Sequence, residues 1–194
     1  MAAEFELKAR LADGGDALRR RLREAGWSLT FRGRILDRRY DTPDRRLEAR
    51  DEALRIRRCL PEDGESRAVL AWKGPASEVG GLKRRDEVET RVEDPAALAA
   101  ILDALGYTEV TATIDRRIET WEKDAVSVRI ERYPRMDTLA ELEGPPDQVR
   151  ARIGELGLGE DAWKSWPLRV FVERFEARTG REALLAEGDG TRDP

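Results

Sequence analysis

The chemistry open to this chain is bounded first by what it lacks. Its 194 residues include no histidine and a single cysteine, Cys59, against 40 acidic and 36 basic side chains. A Ser-His-Asp or Cys-His triad, a histidine general base and a histidine-ligated zinc site are all excluded. Any reaction must run on carboxylates, Lys, Arg and a hard metal ion. These groups recur with period two. Glu4, Glu6 and Lys8 alternate with Phe5, Leu7 and Ala9, Arg55 and Arg57 with Leu54 and Ile56, Arg129 and Glu131 with Val128 and Ile130, and Glu141 and Glu143 with Ala140 and Leu142. Lys73 ends Leu70-Ala71-Trp72-Lys73, and Arg85, Glu87 and Glu89 alternate with Asp86 and Val88. In a strand, residues i and i+2 share a face. Two readings are open: an ordinary sheet with one wet face, or a sheet closed into a barrel with a charged lumen and an apolar outside. Wet faces usually mix in Thr, Ser and Gln, whereas these positions are nearly all ionisable. Burying so many charges is tolerable only if they pair, stay hydrated or receive a charged ligand. Clustered carboxylates suit Mg²⁺ or Mn²⁺, and Arg and Lys suit phosphate oxygens. Together they point to a metal–polyphosphate ligand.

Elements that could position these residues follow from the same patterns. Alternation predicts strands over Glu4–Arg10, Arg34–Asp41, Ala53–Cys59, Arg67–Lys73, Arg85–Val92, Ile114–Trp121, Ser127–Arg132 and Thr138–Glu143. Helices are expected from Asp13 to Ala25, from Asp94-Pro95 to Gly106, from Pro146 to Leu156 and from about Pro167. The class is α+β, in one domain over residues 1–180. The glycine-rich loop Gly74–Lys83 reads as long and mobile, Glu62-Asp63-Gly64-Glu65 as a turn, and the tail, residues 181–194 and above all Glu187–Pro194, as disordered. Glu4-Phe5-Glu6, Glu87-Val88-Glu89 and Glu141-Leu142-Glu143 repeat one pattern, consistent with internal duplication. The five tryptophans are expected to serve mostly packing, and Cys59 to be a small buried filler.

Charge is high, 39% of residues, but nearly balanced at a net −4, which argues against a nucleic-acid partner. No apolar run approaches the ~20 residues that cross a membrane. Glu4, Glu6 and Lys8 at the start read against a signal peptide, and one cysteine suits a reducing cytoplasm.

Taken in order, these segments resemble the CYTH superfamily, the triphosphate tunnel metalloenzymes. Glu4-Phe5-Glu6-Leu7-Lys8 is an ExExK signature. Asp37-Arg38-Arg39-Tyr40-Asp41-Thr42-Pro43 is similar to the family's second-strand motif, Ala53-Leu54-Arg55-Ile56-Arg57 to its LRxR strand, and Trp72-Lys73-Gly74-Pro75 to its K-G-P turn. Arg85-Asp86-Glu87-Val88-Glu89 is similar to its RxExE strand, Glu141-Leu142-Glu143-Gly144 to its late ExE strand and Lys164-Ser165-Trp166 to its K-S-Y element. The resemblance covers roughly residues 2 to 178. It implies an eight-stranded antiparallel closed barrel, a tunnel flanked by helices, holding a triphosphate and Mg²⁺ or Mn²⁺. By motif, the metal side is Glu4, Glu6, Glu131, Glu141 and Glu143. The phosphate side is Lys8, Arg55, Arg57, Lys73, Arg85, Arg117 and Arg129, with Lys8 and Lys73 as catalytic groups and Glu87, Glu89 and Arg39 in support. Glu87 and Glu89 could equally ligate metal or hold basic rotamers.

Three positions depart from the pattern. Arg39 stands where many relatives carry an aromatic, which speaks against thiamine triphosphate specificity. Glu131 replaces an aspartate. The family's K-x-R falls on Asp115-Arg116-Arg117, where only Arg117 matches cleanly. The implied activity is metal-dependent hydrolysis of the terminal phosphate of inorganic, nucleoside or thiamine triphosphate, by a monomer or homodimer. The alternatives are a class IV-type adenylate cyclase and a non-catalytic nucleotide- or polyphosphate-binding module. A cyclase needs its base held at the tunnel mouth. The candidate aromatics, Trp72 and Trp121, carry the phase of the outer face, and Gly74–Lys83 has none.

Overall fold

The computed structural model describes residues 2–109 and 113–187. Its centre is a closed barrel of eight antiparallel strands: β1 (Ala2–Leu11), β2 (Ser28–Asp41), β3 (Ala53–Pro61), β4 (Arg67–Lys73), β6 (Leu82–Val92), β8 (Ile114–Lys123), β9 (Val126–Arg132) and β10 (Thr138–Glu143). Around the wall the order is β1-β10-β9-β8-β2-β3-β4-β6. The seam closes where Glu4 of β1 lies opposite Arg85 and Glu6 opposite Lys83. Each predicted strand is present. The three Glu-x-Glu segments turn out to sit on β6, β1 and β10, which are consecutive in the wall.

Period two divides each strand between two environments. Outward residues Leu7, Ala9, Val128, Ile130, Ala140 and Leu142 are buried under α1 (Asp16–Glu24) and α4 (Pro146–Ile153), which contribute Leu18, Leu22 and Val149. On the other side Tyr40 and Ile56 pack against Leu102 of α3 (Pro95–Ala104), with Leu54, Leu70 and Leu98 around them. Helix α3 starts as its sequence dictates: the Asp94 carboxylate accepts hydrogen bonds from the Ala96 and Ala97 N–H groups at 3.0 and 2.9 Å, and Pro95 occupies the first turn. Most of the core is thus a sleeve outside the barrel, leaving the lumen to ionisable groups except where Ile35, Cys59 and Ile118 pack together. Among the described residues no helix is long and apolar enough to cross a membrane.

Several features lie outside the sequence expectation. Strand β2 begins at Ser28, well before Arg34, and carries a bulge between Leu29 and Phe31. The one-turn helix α2 (Arg46–Ala49) is nucleated by Asp41, whose carboxylate accepts from Leu47 and Glu48 N–H at 2.9 and 3.0 Å. A two-residue strand, β7 (Thr108–Glu109), pairs with the end of β2. Within Gly74–Lys83 the structure has β5 (Ser77–Val79) folded onto β6 through Gly80-Gly81, whose φ values of 59° and 80° suit a primed hairpin turn. After α5 (Leu168–Thr179) the chain stays on the barrel: Leu184 and Arg135 exchange backbone hydrogen bonds, and Leu185 C=O accepts from Asp115 N–H at 2.8 Å. These bonds carry the folded unit past the boundary expected at residue 180. Residues 188–194 lie outside the described residues.

Candidate functional site

Strand parity turns Glu4, Glu6 and Lys8 of β1 into the lumen, with Asp37 and Arg39 of β2, Arg55 and Arg57 of β3, and Lys73 of β4. Lys83, Arg85 and Glu87 of β6, Arg116 of β8, Arg129 and Glu131 of β9, and Glu141 and Glu143 of β10 join them. The basic groups named here outnumber the acids. Most of them join in one ion-pair network, and Lys83 with Glu6 forms a separate pair. The Lys8 ammonium contacts Glu141 and lies 4.0 Å from Glu131. Arg129 reaches Glu141 at 2.7 Å and Glu143 at 2.9 Å. Lys73 contacts Glu4 and lies 3.1 Å from Glu87, and Lys83 contacts Glu6.

Asp37, only 2% exposed, is a hub for three guanidinium groups. Arg57 donates to it through Nε and Nη2 at 2.7 and 3.0 Å, Arg116 through Nη1 at 2.8 Å, and Arg55 lies 3.8 Å away. Burial opposes its charge, but these cations win and hold its carboxyl well below the usual range. Glu131 is equally committed, accepting from Arg116 Nε at 2.9 Å and from the Tyr133 hydroxyl at 2.8 Å. Against burial, Arg116 and Lys8 lower its carboxyl to about 2. Arg55 is the contrasting case. Burial pulls its guanidinium down to about 10, its nearest hydrogen bond is a long 3.4 Å to Glu87, and its Nε has no partner. The Nε of Arg85 is also buried without a partner, although its Nη2 reaches Asp51 at 2.5 Å.

The five expected metal carboxylates divide into two groups. Glu131 and Glu141 surround Lys8, whereas Glu4 and Glu143 interact with each other. Glu6 lies opposite Glu143 in the register. Burial and the Glu4 charge raise Glu143 above the usual range despite Arg129, and burial likewise raises Glu87, with Lys73 opposing and Glu4 reinforcing. Glu143 Oε2 is buried, with Arg129 Nη1 2.9 Å away but no aligned hydrogen bond. Crowded carboxylates of this kind form a donor set that a divalent cation relieves. Among the described residues no three Asp, Glu, Cys or His side chains form a metal cage. The fit is of the kind Mg²⁺ uses, one or two carboxylates with phosphate oxygens and water completing the shell. A cavity of ≈ 370 Å³, bordered by Phe5, Gly144 and Pro145, opens onto Glu4 and Glu143.

One expected residue is misplaced. Arg117 is exposed on the outside of β8, and it is Arg116, 8% exposed, that enters the lumen. The motif match set the register by sequence, whereas the barrel sets it by pairing Arg116 with Ile35 and Arg117 with Arg34. Glu89 is exposed at the open end, where it borders a cavity of ≈ 580 Å³ reaching inward to Arg57 and Arg129. Arg39 is partly buried beside Arg85 and Arg116, and burial lowers its guanidinium. Asp37, Lys83, Arg116 and Tyr133 were not among the expected site residues. Extending the alternation by one step, from Arg85 back to Lys83 and from Arg39 back to Asp37, would have found two of them. The Lys164-Ser165-Trp166 segment acts through its backbone: Lys164 and Lys8 exchange N–H···O=C bonds at 2.8 Å, filling the wall of β1 beyond its pairing with β6, and Ser165 Oγ donates to Glu78 at 2.9 Å.

A closed eight-stranded wall with this lumen is the arrangement expected of one family, and the CYTH domain model matches residues 2–134. The chain belongs to the CYTH domain family. A relative from Methanocaldococcus jannaschii, named "Putative adenylate cyclase", is 29% identical over 140 residues, covering 72% of this chain and 75% of its own. Two solved structures share the fold of this CYTH protein. A Vibrio parahaemolyticus protein with the same kind of name has a TM-score of 0.75 at 16% identity, over 88% of this chain and 97% of its own. A Hippeastrum protein named as a "Putative adenylyl cyclase" and described as revealing a dominant triphosphatase activity has a TM-score of 0.59 at 16% identity, over 96% of this chain and all of its own.

Proposed function

We propose that this CYTH protein is a metal-dependent triphosphatase that hydrolyses the terminal phosphate of a triphosphate held in the lumen. The observation that carries the reading is the excess of buried cations, with Arg55 and Arg85 each keeping a guanidinium nitrogen unpaired and Arg39 set among other arginines. A triphosphate supplies the missing negative charge. In this reading Arg55, Arg85, Arg116 and Arg129 bind phosphate oxygens, and Lys73 and Lys83 leave Glu4 and Glu6 to do the same. Arg57 is held by Asp37 and presents its remaining nitrogen. Lys8, between Glu141 and Glu131, is positioned to contact the transferring phosphoryl group and to hold a proton beside it.

Glu4 and Glu143 would hold Mg²⁺ or Mn²⁺, which when bound supplies Lewis acidity and charge neutralisation toward phosphate oxygens. Water attacks the terminal phosphorus, a P–O bond forms, and the bridging P–O bond breaks toward the diphosphate oxygen. Positioning and charge stabilisation account for most of what such a step requires.

The relatives' names favour a second reading, in which the ribose 3′-hydroxyl attacks the α-phosphorus and releases pyrophosphate. Resolving the products formed from ATP, inorganic triphosphate and thiamine triphosphate with Mg²⁺ and Mn²⁺ separates them. Orthophosphate is expected as the first product. Cyclic AMP with pyrophosphate would establish the cyclase, and tight binding without turnover a binding module.

A further inference from the structure

Both oxygens of Glu131 already face donors. The residue is 2% exposed. Its Oε1 accepts from Arg116 Nε at 2.9 Å, and its Oε2 accepts from the Tyr133 hydroxyl at 2.8 Å and lies 4.0 Å from the Lys8 ammonium. Arg116 is fixed at its far end by Asp37, to which Nη1 donates at 2.8 Å. Tyr133 is fixed through the backbone: two residues on, Arg135 and Leu184 exchange N–H···O=C bonds at 2.8 and 3.1 Å, which ties down the chain leaving β9. A divalent cation entering here would meet the charges of Arg116 and Lys8. At Glu143 it would gain a second carboxylate, Glu4, alongside Arg129. The two places are also well separated. Glu131 lies opposite Leu139 on β10, so its level in the wall is four residues from Glu143, roughly 13 Å along a strand. Mg²⁺ binds its oxygens at about 2.0–2.1 Å. One ion cannot be shared between them.

We propose that Glu131 is a positioning residue for Lys8 and not a ligand of the metal. Braced by Arg116 and Tyr133, it fixes the ammonium from one side while Glu141 holds it from another, and the remaining N–H of Lys8 is left for the lumen. Tyr133 acts through Glu131 as part of the same brace. The contribution of Glu131 to turnover rests on the triphosphatase reading, whereas its place outside the metal shell does not.

The wild type, Glu131→Gln, Tyr133→Phe and Glu143→Gln are compared, each checked for folding by circular dichroism. Mn²⁺ affinity is read without triphosphate from the paramagnetic resonance of the free ion, and turnover of inorganic triphosphate and of ATP with Mg²⁺ gives kcat and KM. Carbon-13-labelled lysine, assigned through Lys8→Met, reports the Lys8 side chain, whose two Cε protons give separate signals only while it is held. Glu131→Gln should keep the wild-type Mn²⁺ affinity and KM, merge the Lys8 signals and lower kcat by about 100-fold, the scale of misplacing a reacting group by ~1 Å. Tyr133→Phe removes one donor from Glu131 and should move kcat and the Lys8 signals in the same direction by less, so it carries the test if Glu131→Gln fails to fold. Glu143→Gln should lose Mn²⁺ and leave the Lys8 signals separate. Mn²⁺ binding weakened by Glu131→Gln as much as by Glu143→Gln, or kcat and Lys8 signals unchanged in both Glu131→Gln and Tyr133→Phe, would overturn the proposal. A wild type that neither binds Mn²⁺ nor turns over a triphosphate would remove the triphosphatase reading, and the Lys8 signals would then decide the brace by themselves.

Discussion

Arg55 and Arg57 lie two residues apart on one strand and face the same lumen, yet they are held differently. Arg57 makes two short hydrogen bonds to Asp37, whereas Arg55 has only long contacts and a buried Nε without a partner. Arg57→Met should therefore cost about 1–3 kcal/mol in a denaturant titration, because it strips a buried acceptor of a donor. Arg55→Met should leave the ligand-free melting temperature unchanged or raise it, and should abolish stabilisation by triphosphate. Asp37 gives a pH signature. Its carboxyl is lowered in the fold from an ordinary 3.8, so the stability it adds is present above that value and is lost as pH falls below it. Asp37→Asn should flatten this acid limb and destabilise the protein at neutral pH, which melting curves across pH 2–7 would check. Most lumen residues were legible because alternation alone assigns a face. Arg116 was not, since Asp115, Arg116 and Arg117 are three charges in a row and the phase is set by partners on β2.

Elements whose cause is local were the easiest to read. The Asp94-Pro95 start of α3 and the alternating strands need nothing beyond their own residues. The β2 bulge and the one-turn α2 depend on strand pairing and on Asp41, which no short window contains. Gly144 shows how an element boundary can bear on the site. It follows Glu143 with φ 156°, its N–H donates to Phe5 C=O at 3.2 Å, and a Cβ there would lie 2.8 Å from the Ala125 carbonyl oxygen. Since backbone cannot yield as a side chain tip can, Gly144→Ala should displace the end of β10 and cost about 1–3 kcal/mol. The expected readout is a lower melting temperature together with a weaker response to Mg²⁺ than in the wild type.

At the scale of the molecule, the barrel is closed by contact rather than by covalent linkage, and its lumen carries unbalanced charge. Ligand should therefore stabilise it strongly. At a hundred times its dissociation constant, a triphosphate should add about 2.7 kcal/mol, roughly 5–10 °C in melting temperature for a domain of this size. Mg²⁺ alone should raise the wild-type melting temperature by relieving the Glu4–Glu143 pair, and Glu143→Gln should remove that increment. A wild type indifferent to Mg²⁺ with and without triphosphate would argue against a metal at these carboxylates. The seam has a further consequence, for the order of assembly. β1 lies between β6 and β10, both made long after it, with Glu6 waiting for Lys83 on one side and Glu143 on the other. Pairings so distant along the chain form slowly. Until Glu143 has been synthesised, the strand bearing Glu4, Glu6 and Lys8 has an open edge on a nascent chain, so a ribosome stalled before that residue should display a protease-sensitive amino terminus.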